Sequence, residues 1–193
     1  YTLTKVLSEK KNLQIIGIVR NLKFLENLKA KNIKVKIHNY KYSNLDSLKK
    51  IITSIKPDIV INCSGVTKQR INLNKLSEAV FLNSLFPHLI SSVCKKIKAR
   101  YIHISTDCVF SGKKGNYLEN DISDAQDIYG KTKFLGEIIK PNTIVLRTST
   151  IGHEIKSKKG LLEWFLAQKI KCNGFKKAIF SGIPTVIFAE IIR

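Results

Sequence analysis

The sequence predicts an α/β fold, a doubly wound parallel sheet with helices on both faces, and three observations predict it. Apolar runs of strand length alternate with segments of helical periodicity along most of the chain. The links between them are short, which favours parallel strands joined by covering helices. Small or polar residues close the apolar runs, where a doubly wound sheet presents its ligand site.

With 193 residues and 44% hydrophobic side chains, the chain can bury one complete core and part of a second. Its mean hydropathy is -0.05. It has no low-complexity tract or internal repeat, so disorder is not expected. No apolar run approaches the ~20 residues that cross a bilayer, so no membrane partner is expected. The chain lacks Met and opens on YTLTKVLSEKK without a charged leader and apolar signal core, and it reads as cut from a longer protein.

The elements follow in order. Residues 2–11 read as an amphipathic helix with Leu3, Val6 and Leu7 on one face, and LQIIGIVR as a buried strand ending at Arg20. Leu22, Leu25 and Leu28 mark a second helix, and IKVKIHNY alternates as a strand does. SNLDSLKKIITSI is a helix capped by Ser43 or Asn44 and stopped by Pro57. DIVINCSG is a further buried strand, and a long helix is expected over about Leu76 to Ile97. RYIHIST is the next strand, and the loop from Ser111 to Asp127 is rich in Gly, Asn and Asp. The helix containing DIYGKTKFLGE is expected to run to Pro141, and TIVLRTST is one more strand. Beyond Ile151 the texture changes: GLLEWFLAQKI reads as a helix, and the last twenty residues as a strand-like run, a turn and a final helix. A boundary is placed near residue 150, with domain 1–150 followed by a smaller, incomplete region over 151–193.

The cysteines, Cys63, Cys94, Cys108 and Cys172, are widely spaced without a CxxC pair. That spacing suits buried thiols in a reducing cytoplasm and indicates neither a disulfide framework nor a metal site. Lys and Arg total 34 against 14 Asp and Glu, a formal net charge of +20. The lysines are spread along the whole chain with no aromatic and basic stripe, so they are read as solvated surface and no nucleic-acid partner is expected.

At the strand ends lie Arg20, then Asn39 and Tyr40, then Cys63, Ser64 and Gly65, then Ser105, Thr106 and Asp107, then Thr148 and Ser149. Tyr129 and Lys133 are four apart on one predicted helix and share a face. An ammonium there can favour the ionised tyrosine and let it exchange a proton near neutral pH. In a lysine-rich chain the same spacing also arises by chance on an exposed helix.

The surrounding residues add a resemblance. HISTDCVFSGKKGNYLEND, followed by IYGKTKFLGE, resembles the extended short-chain dehydrogenase/reductase superfamily and, within it, the dTDP-4-dehydrorhamnose reductase group, which reads S-T-D-Y-V-F-x-G and Y-G-x-(S/T)-K-x-x-G-E. KPDIVINCSGVT, VLRTS and FSGIPTVIFAEII resemble further segments of the same group, so nearly the whole chain is covered. The resemblance implies an NAD(P)-binding Rossmann fold. It implies Thr106 as the hydrogen-bond donor to a substrate carbonyl, with Ser105 beside it, and Tyr129 as the general acid. Lys133 would tune Tyr129 and hold the nicotinamide ribose, and Asn83 sits where relatives place a helix Asn that shapes the site. Asn83 is equally a polar residue tolerated at a kink before Pro87.

The sequence departs from the pattern at several points. The Gly-rich phosphate loop is not among these residues, so the chain is expected to begin inside the first helix and to be inactive by itself. Cys108 replaces the tyrosine of S-T-D-Y-V-F, CSG replaces A-A-A, and Asn39 stands where an Asp usually lies beside adenine. Arg20, helped by Lys23, suits the 2′-phosphate of NADP, which is the preferred cofactor, with NAD as the other. His153 follows a strand end and, with Asp107 and Cys108, is a candidate for the substrate side. The expectation is therefore a cytoplasmic NAD(P)H-dependent reductase of a dTDP- or UDP-linked 4-keto-6-deoxy sugar in surface-polysaccharide synthesis. The rivals are a sugar-nucleotide epimerase or dehydratase, and a non-catalytic NADP-binding regulator. A homodimer is compatible with the sequence, which carries no signal that fixes the oligomeric state.

Overall fold

The computed structural model describes residues 1–20, 35–40, 44–154 and 160–193, with Leu73 described in its backbone alone. The helix expected on Leu22, Leu25 and Leu28, and Lys23 on it, lie outside the described residues. In chain order the elements are α1 (Thr2–Ser8), β1 (Ile16–Val19), β2 (Lys36–Asn39), α2 (Leu45–Ile55), β3 (Ile59–Asn62), α3 (Leu76–Val80), α4 (Phe86–Lys96), β4 (Arg100–Ile104), α5 (Ile128–Leu135), β5 (Thr143–Leu146), β6 (Thr150–Ile151), α6 (Leu161–Leu166), β7 (Ile183–Pro184) and α7 (Thr185–Ile192). Every strand pairing is parallel. With helices between the strands this is the α/β winding that the alternation predicts. No described helix is long and apolar enough to cross a membrane.

The chain gathers into two compact units, Tyr1–Ile51 with Thr150–Arg193, and Ile52–Ser149. In the first, β1 pairs with β2, Val19 opposite Asn39, and Tyr40 N–H continues the ladder to Val19 O at 3.0 Å. The amphipathic α1 buries Val6 and Leu7 and packs on α7, whose Ala189 is buried. β6 pairs with β7.

In the second unit the strand order is β3-β4-β5. The central β4 buries Tyr101 and His103, whereas Ile59 on β3 is 44% exposed and Ile144 on β5 is 53% exposed. The expectation of a buried β3 is thus met only at its end, where Asn62 is buried, because among the described residues β3 has a ladder partner on one side only. For α2 the cap is Asn44, whose Oδ1 accepts from Ser47 N–H at 2.9 Å. The long helix expected over about 76–97 is present but divided by a π turn at Phe81–Leu85. Widened turns of this kind gather at functional positions, and this one contains Asn83.

The α5 segment departs from the expected end at Pro141. The helix stops at Leu135 with Gly136 as its cap. Its start is fixed by Asp127, whose Oδ1 accepts from Gly130 N–H at 2.9 Å while Oδ2 takes Lys68 Nζ at 3.0 Å. The cysteines also differ from the expectation of burial. Cys94 is buried in α4, Cys63 is exposed, and Cys108 and Cys172 are intermediate, since the strand-end positions of Cys63 and Cys108 lie beyond the ladder.

A polar fork crosses the core of the second unit. Asn62 Nδ2 donates to Tyr101 Oη at 3.0 Å and faces His103 Nδ1 at 3.2 Å. His103 is fully buried, and burial, aided by the charges of Lys133 and His88, lowers its pKa from 6.5 to about 3. A histidine held neutral in this way contributes stability above its unfolded pKa, and loses it as pH falls from about 6.5 toward about 3. Between pH 7 and pH 5 the loss from this group should be about 2 kcal/mol. Urea unfolding of wild type and His103→Gln at both pH values checks this. An equal loss in the two proteins would place the acid sensitivity elsewhere.

Candidate active site

The site is built where β4 ends. Ser105 N–H donates to Leu146 O at 2.8 Å and carries the ladder one residue past the strand, which leaves Thr106 at the rim. Thr106 is extended and caps a short turn over Asp107–Val109, its Oγ1 accepting from Cys108 N–H at 3.1 Å. The same hydroxyl donates to Asp107 Oδ1 at 3.3 Å, and Ser149 Oγ donates to that oxygen at 2.5 Å. Ser105 and Thr106 are both buried.

α5 carries the second half. Gly130 lets it approach the turn, since a Cβ there would lie 2.2 Å from Cys108 O. Tyr129 stands on this approaching helix, and the Thr106 hydroxyl pulls against the rise in the tyrosine pKa. Burial is the larger effect and raises Tyr129 above 10. Lys133 is buried, and its Nζ donates to Ile104 O at 2.7 Å. Burial lowers Lys133 to about 8, with the Glu137 carboxylate opposing the fall. In this arrangement desolvation dominates the Tyr129 shift, so Tyr129 keeps its proton at neutral pH, while Lys133 Nζ is bonded to the strand.

The β3 end completes the cluster. Ser64 N–H donates to Asn62 Oδ1 at 3.0 Å, and a Cβ on Gly65 would fall 3.0 Å from Asn83 Oδ1 and 4.0 Å from Lys133 Nζ. Asn83 is fully buried, accepting from Val66 N–H at 2.8 Å and donating to Val66 O at 3.1 Å and Thr132 Oγ1 at 3.2 Å. Both its amide hydrogens are thus engaged in holding the β3 loop against α5. Thr106, Tyr129, Lys133, Ser64, Gly65, Asn83, Ser105, Asp107 and Cys108 all belong to the second unit, with Cys63 exposed beside them in sequence.

Four predicted residues belong to the first unit. Arg20 is exposed directly after β1, Asn39 is exposed at the end of β2, and Tyr40 is buried just beyond it. His153 lies in the stretch after β6 with Nδ1 2.8 Å from Glu163 Oε1. Hydrophobic periodicity and spacing do not single out Glu137 in IYGKTKFLGE. Its ion pair with Arg147 depends on a turn that periodicity does not encode. Among the described residues no cluster of three or more His, Cys, Asp or Glu is placed to hold a metal.

A parallel α/β fold with a threonine at a strand end facing a tyrosine on the following helix defines the class, a protein of the Rossmann type. The chain belongs to the family described as RmlD substrate binding domain, which it matches over residues 7–169. It is 36% identical over 104 residues to the spore coat polysaccharide biosynthesis protein SpsK of Bacillus subtilis (strain 168), covering 51% of this chain and 37% of that protein. To a dTDP-4-dehydrorhamnose reductase of Aggregatibacter actinomycetemcomitans it is 34% identical over 112 residues, 55% of this chain and 38% of the relative. A solved dTDP-4-dehydrorhamnose reductase from Clostridium acetobutylicum shares the fold with a TM-score of 0.67 at 24% identity, covering 92% of this chain and 68% of that one. Another from Bacillus anthracis, solved in complex with NADP, gives 0.57 at 20% identity, covering 74% and 56%. The matched segments thus span well under half the length of these two curated relatives.

Proposed function

We propose that this chain carries the cofactor-binding and proton-transfer parts of an NADPH-dependent reductase acting on a nucleotide-linked 4-keto-6-deoxy sugar. In this reading residues 1–150 form the NAD(P)-binding domain and 151–193 part of a substrate region. The observation that carries it is the seating of the helix bearing Tyr129 against the Cys108 turn, where the Thr106 hydroxyl acts on Tyr129, beside the buried Lys133. The names of the reductase relatives support the substrate class, with the nucleotide either dTDP or UDP. The cytoplasm is the proposed location, a nucleotide sugar the proposed partner, and the lysine-rich surface is taken as solvated rather than as a nucleic-acid site.

The residues present fit a nicotinamide cofactor. Gly65 keeps the backbone bare beside Lys133, where a side chain would fill the approach. An ammonium with one described acceptor, Ile104 O, has N–H donors left for ribose hydroxyls. The chemistry a reduced nicotinamide supplies when bound is hydride donation to the sugar C4 carbonyl carbon. Thr106 Oγ1 would turn from Asp107 to donate to the carbonyl oxygen as negative charge develops there. Tyr129 Oη then delivers its proton to that oxygen, and its raised pKa keeps the proton available.

Arg20 is the proposed contact to the 2′-phosphate, with Asn39 and Tyr40 toward adenine and Cys63 and Ser64 lining the cofactor path. Arg20→Ser in the full-length protein should weaken NADPH binding about tenfold to a hundredfold and leave NADH binding nearly unchanged. Fluorescence titration with both cofactors measures it, and equal weakening of both would remove the 2′-phosphate role. The reading as a whole is tested by following NADPH absorbance with full-length protein and dTDP- or UDP-linked 4-keto-6-deoxy sugars. Net oxidation with one donor supports it. Sugar conversion without net oxidation would make the protein an epimerase, and NADPH binding without conversion would make it a regulator.

A further inference from the structure

The α5 segment is tied to the reactive strand end at a second point, which proton transfer does not use. Glu137 directly follows the capping Gly136, and its side chain is only 7% exposed. Its Oε1 accepts from Ser105 Oγ at 2.6 Å and from Arg147 Nε at 3.0 Å, and Oε2 accepts from Arg147 Nη2 at 2.7 Å. Arg147 also donates through Nη1 to Glu119 O at 3.0 Å and lies over the Phe110 ring, 5.1 Å from its centroid. Phe110 stacks on Tyr117 at 4.3 Å, and Ser111 Oγ donates to Asp124 Oδ2 at 2.5 Å. One carboxylate therefore joins the end of β4, the residue just past α5, the end of β5 and the loop over residues 110–124.

Stability alone does not account for such a pair, since well-packed apolar groups often serve as well or better. A guanidinium gripping both oxygens of a carboxylate adds direction, because that fork has one favoured geometry. We propose that Glu137 is a positioning residue that, through Ser105, fixes the strand end carrying Thr106 and, through Arg147, makes that alignment depend on the seating of the 110–124 loop. The inference rests on the reductase reading. Glu137 also acts on Lys133, whose pKa it holds up against burial.

The test uses the full-length protein carrying Glu137→Gln, Glu137→Gln with Arg147→Met, or Ser105→Ala. Glu137→Gln should lower kcat about tenfold to a hundredfold with little change in the sugar KM. It should also move the alkaline limb of the kcat profile to lower pH, because Lys133 loses its neighbouring carboxylate. Ser105→Ala should lower kcat by less and leave that limb in place. Hydrogen exchange on the substrate-free protein provides a readout independent of turnover: amides over 105–124 should lose protection in both Glu137 variants while Ile59–Asn62 keep theirs. The double variant removes both charges of the pair, so it keeps its fold if Glu137→Gln alone, with the Arg147 charge left without its carboxylate, does not. Unchanged exchange over 105–124 in the double variant would overturn the positioning role, as would a wild-type kcat in Glu137→Gln. If wild type turns over no sugar, the reductase reading falls and the exchange pattern alone decides the link between Glu137 and the loop.

Discussion

Replacing Tyr129 by Phe should lower kcat by a factor of about 10²–10⁴, the range a positioned general acid contributes. The substitution removes one oxygen and leaves the ring in place, so the half-buried packing of α5 is retained. Thr106 keeps two described partners, Cys108 N–H and Asp107, and its orientation should survive. Cofactor affinity should therefore change less than about threefold, which separates loss of the proton from loss of the site. Burial holds Tyr129 above its ordinary pKa, so wild type should show no alkaline limb from this residue near neutral pH. The first decline on the alkaline side should instead come near pH 8, where Lys133 loses its charge. Steady-state rates of both proteins across pH, with dissociation constants for NADPH, give the comparison. A Tyr129→Phe protein with wild-type kcat would move the acid to another group.

The second large effect concerns stability. A Cβ at Gly136 would lie 1.9 Å from Asn83 O and 3.2 Å from Pro87 Cγ. Neither neighbour is the free end of a flexible side chain, so Gly136→Ala must push α5 and the π turn apart. Overpacking against backbone should cost about 3 kcal/mol or more, roughly 6–12 °C in Tm for a chain of this size. The damage should extend to the site, because Asn83 clamps the β3 loop to α5 through Val66 and Thr132. Gly112 is the control: its φ of +83° favours glycine, but a Cβ there meets nothing within 4 Å. Gly112→Ala should cost only about 1 kcal/mol. Thermal melts of the two variants side by side decide the matter, and a Gly136→Ala protein as stable as Gly112→Ala would refute the contact.

The winding of the fold was legible because hydrophobic period and strand length are local properties. Thr106, Tyr129 and Lys133 were singled out by a sequence pattern, and all three lie in the second unit. What the sequence did not reveal depends on approach between distant segments. α5 stops at Gly136, where a Cβ would meet Asn83 O, and Pro141 only marks a later turn. The direction of the Tyr129 shift follows from desolvation, which a four-residue spacing cannot report. The Glu137–Arg147 fork joins residues ten apart across a turn and so left no periodic trace. Cys63 sits in an apolar run yet lies past the last paired residue of β3, and its exposure follows from where the ladder ends.

The π turn at Phe81–Leu85 has a counterpart in genetics. A π turn holds one residue more than an α turn, so removing one between Val80 and Phe86 would close it to regular α-helix. Phe86, Ile90, Val93 and Cys94 would keep their face toward the core, while Asn83 would lose its place beside Val66 and Thr132. Spacing along this segment is thus inherited as a count rather than as an identity. A survey of single substitutions across these five positions would miss it, and a one-codon deletion would expose it at once.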